Sequence, residues 1–343
     1  MTRAAVLQAP RRFTFEERPT PTPGRGEVVV RTLATAVCHT DLAIYTGQHP
    51  GVRYPVVVGH ESTGIVESVG PGTSRVAVGQ RVIIDPIITC GTCDSCERGR
   101  PNLCRRAGLF GREVEGSLAE HVVLAERYLH VLPDALSLEV ATLIETLATV
   151  RHGQERVGIS PGDAVVVLGQ GATGLLHTQL ARLSGASPLV AVSRSPWKLD
   201  LARRWGATHV VRGSGQDVID EVLGITQGAG ADVVIESTGI ASLVRPAIDM
   251  LRPGGKLLVY GIGHDPVEGL TTFPFYYKEL TIYGSRGLTA ADFAPSIRLV
   301  ASGAIDLDGF VTARYPLPRV ASAFEEYERD PARMLRIVIV PDA

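Results

Sequence analysis

Cys90, Cys93, Cys96 and Cys104 stand as C-x2-C-x2-C-x7-C in the stretch TCGTCDSCERGRPNLC. Four thiols within fifteen positions, broken by Gly91, Gly99 and Pro101, let one loop wrap a single ion. Zn2+ accepts four thiolates in a tetrahedron, and such closely spaced cysteines suit it. The alternative is four free thiols in a surface loop, a chemical liability. Four thiolates also close the coordination shell, so this lobe is expected to hold shape while any reaction runs elsewhere.

A second pattern lies downstream. Gly169-Gln-Gly171-Ala172-Thr173-Gly174 is G-x-G-x-x-G, and it follows the apolar run Ala164-Val-Val-Val-Leu168 directly. A strand that turns through such glycines into a helix is the fingerprint of dinucleotide binding. Gly169 makes the tight turn, Gly171 lets backbone approach a pyrophosphate, and Gly174 lets helix and strand pack closely. Backbone N–H groups at the helix start then face the phosphate charge. The end of the next strand reads Val192-Ser193-Arg194-Ser195, with no carboxylate until Asp200. An acidic residue there would bind the ribose hydroxyls of NAD, whereas uncharged Ser193 and a guanidinium at Arg194 suit a 2′-phosphate. NADP(H) is therefore expected over NAD(H), which remains the alternative.

The elements that must position these groups fall into two regions. A chain of 343 residues suits two domains. Apolar content of 45%, 20% charged residues and a net charge of −2 describe a globular chain with ample core. No single-sign charge run points to nucleic acid or a membrane surface. The N-terminus lacks the apolar core and cleavage site of a signal peptide, and no segment reaches the roughly 18 apolar residues of a membrane span. Five cysteines, four of them in the cluster, leave Cys38 alone, which argues against a disulfide framework and for a reducing, cytoplasmic setting.

Up to about residue 140 the chain reads as short β-branched runs between Gly and Pro: Val28–Val30, Val56–Val58, Gly64–Val66, Arg81–Ile84 and His121–Leu124. From about Ser137 helical and strand patterns alternate. Strands are expected at 163–168, 189–192, 209–211, 232–235, 256–260 and 280–283, and helices at 138–147, 174–183, 198–205 and 217–223. This alternation predicts an α/β domain with a doubly wound parallel sheet, after a mostly-β domain. A helix at 293–301 and a short strand near the C-terminus complete the chain.

Cys38-His39-Thr40-Asp41, Gly59-His60-Glu61, the four-cysteine lobe and the later G-x-G-x-x-G together resemble the zinc-containing medium-chain alcohol dehydrogenases, across nearly the whole chain and in the same order. The segment Ile144-Glu145-Thr-Leu-Ala-Thr149 is similar to the polyol and threonine dehydrogenase branch. The resemblance implies a GroES-like catalytic domain (1–148 and 287–343), a Rossmann domain (149–286), and one catalytic plus one structural zinc per subunit. It implies Cys38 and His60 as the first two catalytic ligands, Glu145 as the third, and Glu61 as a secondary or transient ligand. It further implies that Asp41 orients the ligating histidine; a turn-capping aspartate is the alternative. Thr149 would stand beside the nicotinamide, His39 near the cofactor phosphates, and Tyr45, His49, Phe110 and Leu288 along the substrate pocket.

The resemblance also implies the chemistry. Zinc lowers the pKa of a bound hydroxyl, Thr40 hydrogen-bonds the substrate oxygen and passes its proton outward, and hydride moves between alcohol and nicotinamide. Many relatives end the relay in a histidine three residues after that hydroxyl, where Ala43 stands here; His49 or the cofactor ribose are the substitutes. The expected activity is that of a zinc-dependent alcohol dehydrogenase or carbonyl reductase acting on a small secondary alcohol or polyol. An NAD-dependent polyol, sugar or amino-alcohol dehydrogenase is the alternative within the family, and a non-catalytic relative is the alternative outside enzymology. The apolar run Leu280–Tyr283 at a sheet edge wants a partner, which with the family pattern leads to an expected homotetramer, or a dimer.

Overall fold

The computed structural model describes residues 1–341. It divides into two compact units, Met1–Ala148 with Leu288–Gly303 and 307–341, and Thr149–Gly287 with Ala304–Asp306.

The first unit is built on antiparallel strands. The long strand Glu27–Val37 pairs with Glu61–Val69 on one side and with the C-terminal strand Arg336–Val340 on the other. Register decides what this achieves. Ala36 stands opposite Glu61, and Val37 stands opposite Ile337. Cys38, His60, Glu61 and Arg336 are therefore brought to the same end of three adjacent strands. Glu27–Val37 is covered on both faces and buries every one of its valines and alanines. At roughly 1.5–3 kcal/mol per buried aliphatic side chain this burial is a large part of what holds the unit together, and a one-residue slip would carry Glu27 or Arg31 into positions now filled by valine.

Several elements here escaped the sequence reading. Thr2–Ala9 and Arg12–Arg18 form an antiparallel pair, and Val311–Pro316 pairs in parallel with Arg336–Val340. The helix Val320–Arg329 buries Val320, Ala323, Phe324 and Tyr327, one face at i, i+3, i+4 and i+7. Phe324 and Phe13 pack against Tyr45, with ring centroids 5.0 and 5.7 Å away. Tyr45 is 2% exposed, so it is core in this unit rather than pocket wall, a correction to the sequence reading.

The second unit is a six-stranded parallel sheet in the order His209–Arg212, Leu189–Ser193, Val165–Leu168, Ala231–Glu236, Leu251–Val259, Thr281–Gly284. Numbered along the chain this is 3-2-1-4-5-6, the doubly wound order. Val165–Leu168 is buried throughout, as a central strand covered on both faces must be. The crossover helices are Ala172–Leu183, Pro196–Arg204, Gln216–Ile225, Val244–Asp249 and Phe273–Lys278. The first begins two residues earlier than the sequence pattern suggested, because Gly171, in extended conformation, serves as its N-cap. Among the described residues no helix is long and apolar enough to cross a membrane.

Candidate active site

In the first unit, Cys38, His60 and Glu61 place one ligand atom each within 4.8 Å of the others. Cys38 ends the strand Glu27–Val37 and is the N-cap of the helix His39–Thr46. Asp41 sits in that helix's first turn, 1% exposed, and its carboxylate is fully engaged. Its Oδ2 accepts the Cys38 N–H at 2.9 Å, while Oδ1 accepts from Gly59 N–H at 3.1 Å and from His60 Nδ1 at 3.0 Å. The two sequence readings of Asp41 are thus both met by one side chain, which caps the helix and orients the histidine. With its proton on Nδ1, His60 presents the Nε2 lone pair to the cluster. Burial pulls the His60 pKa down, but the Asp41 charge and hydrogen bond outweigh it and hold the value well above the usual imidazole range. Burial, reinforced by Glu61, raises the Cys38 thiol.

Glu61 is 1% exposed. Its Oε1 accepts from Arg336 Nη2 at 2.8 Å, and Oε2 is buried with no hydrogen-bond partner among the described residues. The same Nη2 lies 3.0 Å from Thr146 Oγ1. Glu145, in the first turn of the helix Leu143–Val157, lies outside the three-residue cluster. It is 6% exposed, and burial followed by the charge of Glu61 pushes its carboxyl up to about 8. A thiol, an imidazole fixed through Nδ1 with Nε2 left for the cluster and an orphaned carboxylate oxygen, with a second buried carboxyl raised to about 8 outside them, make a set of donors that a divalent cation would satisfy by displacing their protons. Zinc fits that chemistry. Thr40 is partly exposed on the same helix as Asp41, and His39 is exposed, its ring edge-on to Tyr327 at 6.5 Å.

The four cysteines of the lobe converge, all as free thiols. Sγ–Sγ distances are 3.4 Å for Cys90–Cys104, 3.6 Å for Cys93–Cys96 and 3.8 Å for Cys93–Cys104. A disulfide needs about 2.05 Å, whereas a tetrahedron with zinc–sulfur bonds of about 2.3 Å has edges near 3.8 Å. The Cys104 sulfur also accepts backbone N–H groups of Cys90 and Arg106. The lobe is shaped for an ion.

In the second unit, Gly169 has φ +87°, a conformation that only glycine holds without strain. A Cβ on Gly174 would stand 1.9 Å from the Gly169 carbonyl oxygen, so that position admits hydrogen alone. A Cβ on Gly171 would meet no protein atom within 4 Å, which leaves open space in front of Ala172 and Thr173, the first residues of the helix. An anionic pyrophosphate fits there. Ser193 accepts the Ser195 N–H at 3.2 Å through its hydroxyl, and Arg194 is exposed with no ion-pair partner among the described residues. Thr149 Oγ1 is 2.5 Å from the Tyr260 hydroxyl.

Two polar residues were missed from sequence. Arg336 opens an apolar C-terminal strand, where a lone arginine before Ile-Val-Ile-Val was a signal for a buried ion pair. Arg212 stands opposite Ser193 across adjacent strands, an alignment that only register reveals.

The alcohol dehydrogenase GroES-like domain matches residues 24–134, and the zinc-binding dehydrogenase family matches residues 172–302. Sorbitol dehydrogenase of Bacillus subtilis is 30% identical over 99% of this chain and 97% of its own length. A protein of Sinorhizobium meliloti 1021 described as a zinc-binding dehydrogenase, solved bound to NADP, superposes with a TM-score of 0.91 at 31% identity, covering 99% of both chains. An alcohol dehydrogenase of E. coli CFT073 complexed with NADH superposes with a TM-score of 0.92 at 26% identity, again over 99% of both chains. The fold, the glycine turn and the two ligand clusters agree with these likenesses, and the chain belongs to the zinc-dependent medium-chain dehydrogenases of the polyol and threonine dehydrogenase type.

Proposed function

We propose that the chain catalyses reversible hydride transfer between NADP(H) and a small secondary alcohol or polyol and its carbonyl. The observation that carries this reading is the Cys38–His60–Glu61 cluster, half-buried at the thiol and buried at the other two, with its histidine oriented by Asp41 and an unsatisfied carboxylate oxygen. Cys38, His60 and Glu145 hold the catalytic zinc, and Glu61, tied to Arg336, stands by as a transient ligand. This assignment rests on charge: one oxygen of Glu61 is already committed to a guanidinium. Glu145 is held protonated towards neutral pH by burial and by Glu61, a penalty that a divalent cation relieves. A zinc held there would supply Lewis-acid activation, which lowers the pKa of a bound hydroxyl towards neutrality. Thr40 accepts the hydrogen bond of that hydroxyl and hands its proton towards solvent. Asp41 keeps the His60 lone pair aimed throughout.

Gly169, Gly171, Ala172, Thr173 and Gly174 hold the pyrophosphate, Ser193 and Arg194 the adenosine ribose with its 2′-phosphate, and Thr149 borders the nicotinamide, which supplies or takes the hydride. His39 is assigned to the cofactor phosphates as a neutral hydrogen-bond donor, since burial and then the charge of Arg336 lower its imidazole pKa. Exposed and unpaired Arg194 supports NADP over NAD. Initial rates with both cofactors against a panel of alcohols, polyols and carbonyls test this; a kcat/KM ratio for NADP over NAD below one overturns the cofactor assignment. We also propose self-association to a homotetramer in the cytoplasm. The edge strand Thr281–Gly284 offers open backbone groups, and Phe273, Tyr276 and Tyr277 nearby are 63–82% exposed. Light scattering that returns a monomer mass rejects it.

A further inference from the structure

A polar cluster in the second unit takes no part in the chemistry above. His177, on the helix Ala172–Leu183, is fully buried. Gln154 Nε2 lies 3.1 Å from His177 Nδ1 and 2.7 Å from the His177 carbonyl oxygen. An amide NH2 carries two hydrogens, and these two acceptors take one each, which places the imidazole proton on Nε2. Burial drives the ring pKa to about 3, so it stays neutral. His177 Nε2–H is then a buried donor, Gln154 Oε1 a buried acceptor and Ser285 Oγ a buried hydroxyl, and none of the three has a hydrogen-bond partner among the described residues.

His177 touches Tyr260, Gln154 is joined to His177, and Ser285 lies beside the same tyrosine. The His177 ring meets the tyrosine ring edge-on, with centroids 4.5 Å apart. Gly153, adjacent to Gln154, packs so closely that a Cβ there would stand 3.2 Å from Tyr260 Cδ2 and 3.3 Å from Ser285 Oγ. The tyrosine hydroxyl in turn lies 2.5 Å from Thr149 Oγ1. Buried polar groups find protein or water partners almost without exception. A donor, an acceptor and a hydroxyl match the two to four polar partners that hold an internal water.

We infer that His177, Gln154 and Ser285 bind ordered water, and that this hydrated cluster fixes Tyr260 so that its hydroxyl positions Thr149. The inference rests on the proposed function, in which Thr149 borders the nicotinamide, and it makes Tyr260 and His177 positioning residues of the cofactor site.

The test has two parts. A crystal structure of the intact protein, at a resolution that shows ordered solvent, places a water about 2.6–3.2 Å from His177 Nε2 and from Gln154 Oε1 or Ser285 Oγ. Dry apolar contact at all three atoms, or direct bonds among them, overturns the water site. In solution, Tyr260→Phe keeps the ring and removes one hydroxyl. NADPH binding, followed by fluorescence titration, weakens by up to about tenfold, while zinc content and KM for the alcohol stay unchanged. Thr149→Val separates the two levels of the reading. Weakened binding in Thr149→Val with none in Tyr260→Phe rejects the positioning role and leaves the cofactor assignment standing. No effect in either variant means that Thr149 does not meet the nicotinamide, and both fall.

Discussion

Replacing Asp41 by Asn is the sharpest perturbation of the metal cluster that leaves every proposed ligand in place. The carboxylate accepts three hydrogen bonds from buried groups, the Cys38 N–H on one oxygen and Gly59 N–H and His60 Nδ1–H on the other. A carboxamide has one oxygen. If that oxygen keeps Gly59 and His60, its NH2 is forced against the Cys38 N–H, and a buried donor is left unpaired at a cost of about 1–3 kcal/mol. His60 also loses the negative charge that supports a polarised imidazole. Losing such an outer partner lowers metal affinity about 10- to 100-fold, which is about 1.4–2.7 kcal/mol. The assay is competition for zinc against a chromophoric chelator, with the four-cysteine site as internal control. Affinity at the Cys38–His60 site is expected to fall by that factor while the other zinc is retained. Affinity unchanged within twofold would refute the idea that Asp41 governs the histidine.

Three further outcomes are expected. Gly174→Ala puts a methyl 1.9 Å from the Gly169 carbonyl oxygen, so the turn must open; cofactor affinity, read by fluorescence titration, should fall more than about tenfold, with about 1–3 kcal/mol of overpacking strain in the melting profile. Asp85 is 4% exposed, and burial, offset in part by the Ile87 N–H and reinforced by Asp292, raises its pKa from 3.8 to about 7. The folded state therefore binds a proton that the unfolded chain has lost between about pH 4 and 7, and stability falls as pH rises through that window, by up to about 4 kcal/mol. Asp85→Asn should match wild type near pH 4 and exceed it by pH 8, and parallel denaturation profiles across that range would contradict the assignment. Cys104→Ser should remove one zinc per chain from the lobe and leave the Cys38–His60 zinc, as elemental analysis would show.

Much of the second unit was readable because its signals are local. Val165–Leu168 is uniformly apolar, and the three glycines answer constraints of a few ångströms within one turn. The four-cysteine lobe was readable for the same reason, all of its ligands lying in one short loop. The first unit was harder. Thr2–Ala9 buries a continuous run, Ala4 to Leu7, and Arg12–Arg18 is exposed or half-buried throughout, so neither alternates and only pairing defines them as strands. The helix Val320–Arg329 had a clear apolar face and was a signal overlooked rather than absent. The cluster around Cys38 depends on register between strands distant in sequence, and Arg336, last to arrive, is marked only as a lone arginine before an apolar run, with nothing local to name Glu61 as its partner. The weight of Glu61 relative to Glu145 was likewise beyond sequence, since it turns on which carboxylate a guanidinium already holds.

X-ray diffraction recorded across the zinc absorption edge from active protein tests the central claim most directly. Two anomalous peaks per chain are expected, one inside the tetrahedron of Cys90, Cys93, Cys96 and Cys104, the other bonded to Cys38 and His60 with Glu145 as the third protein ligand. A single peak, at the four cysteines, in crystals that retain full turnover would contradict it.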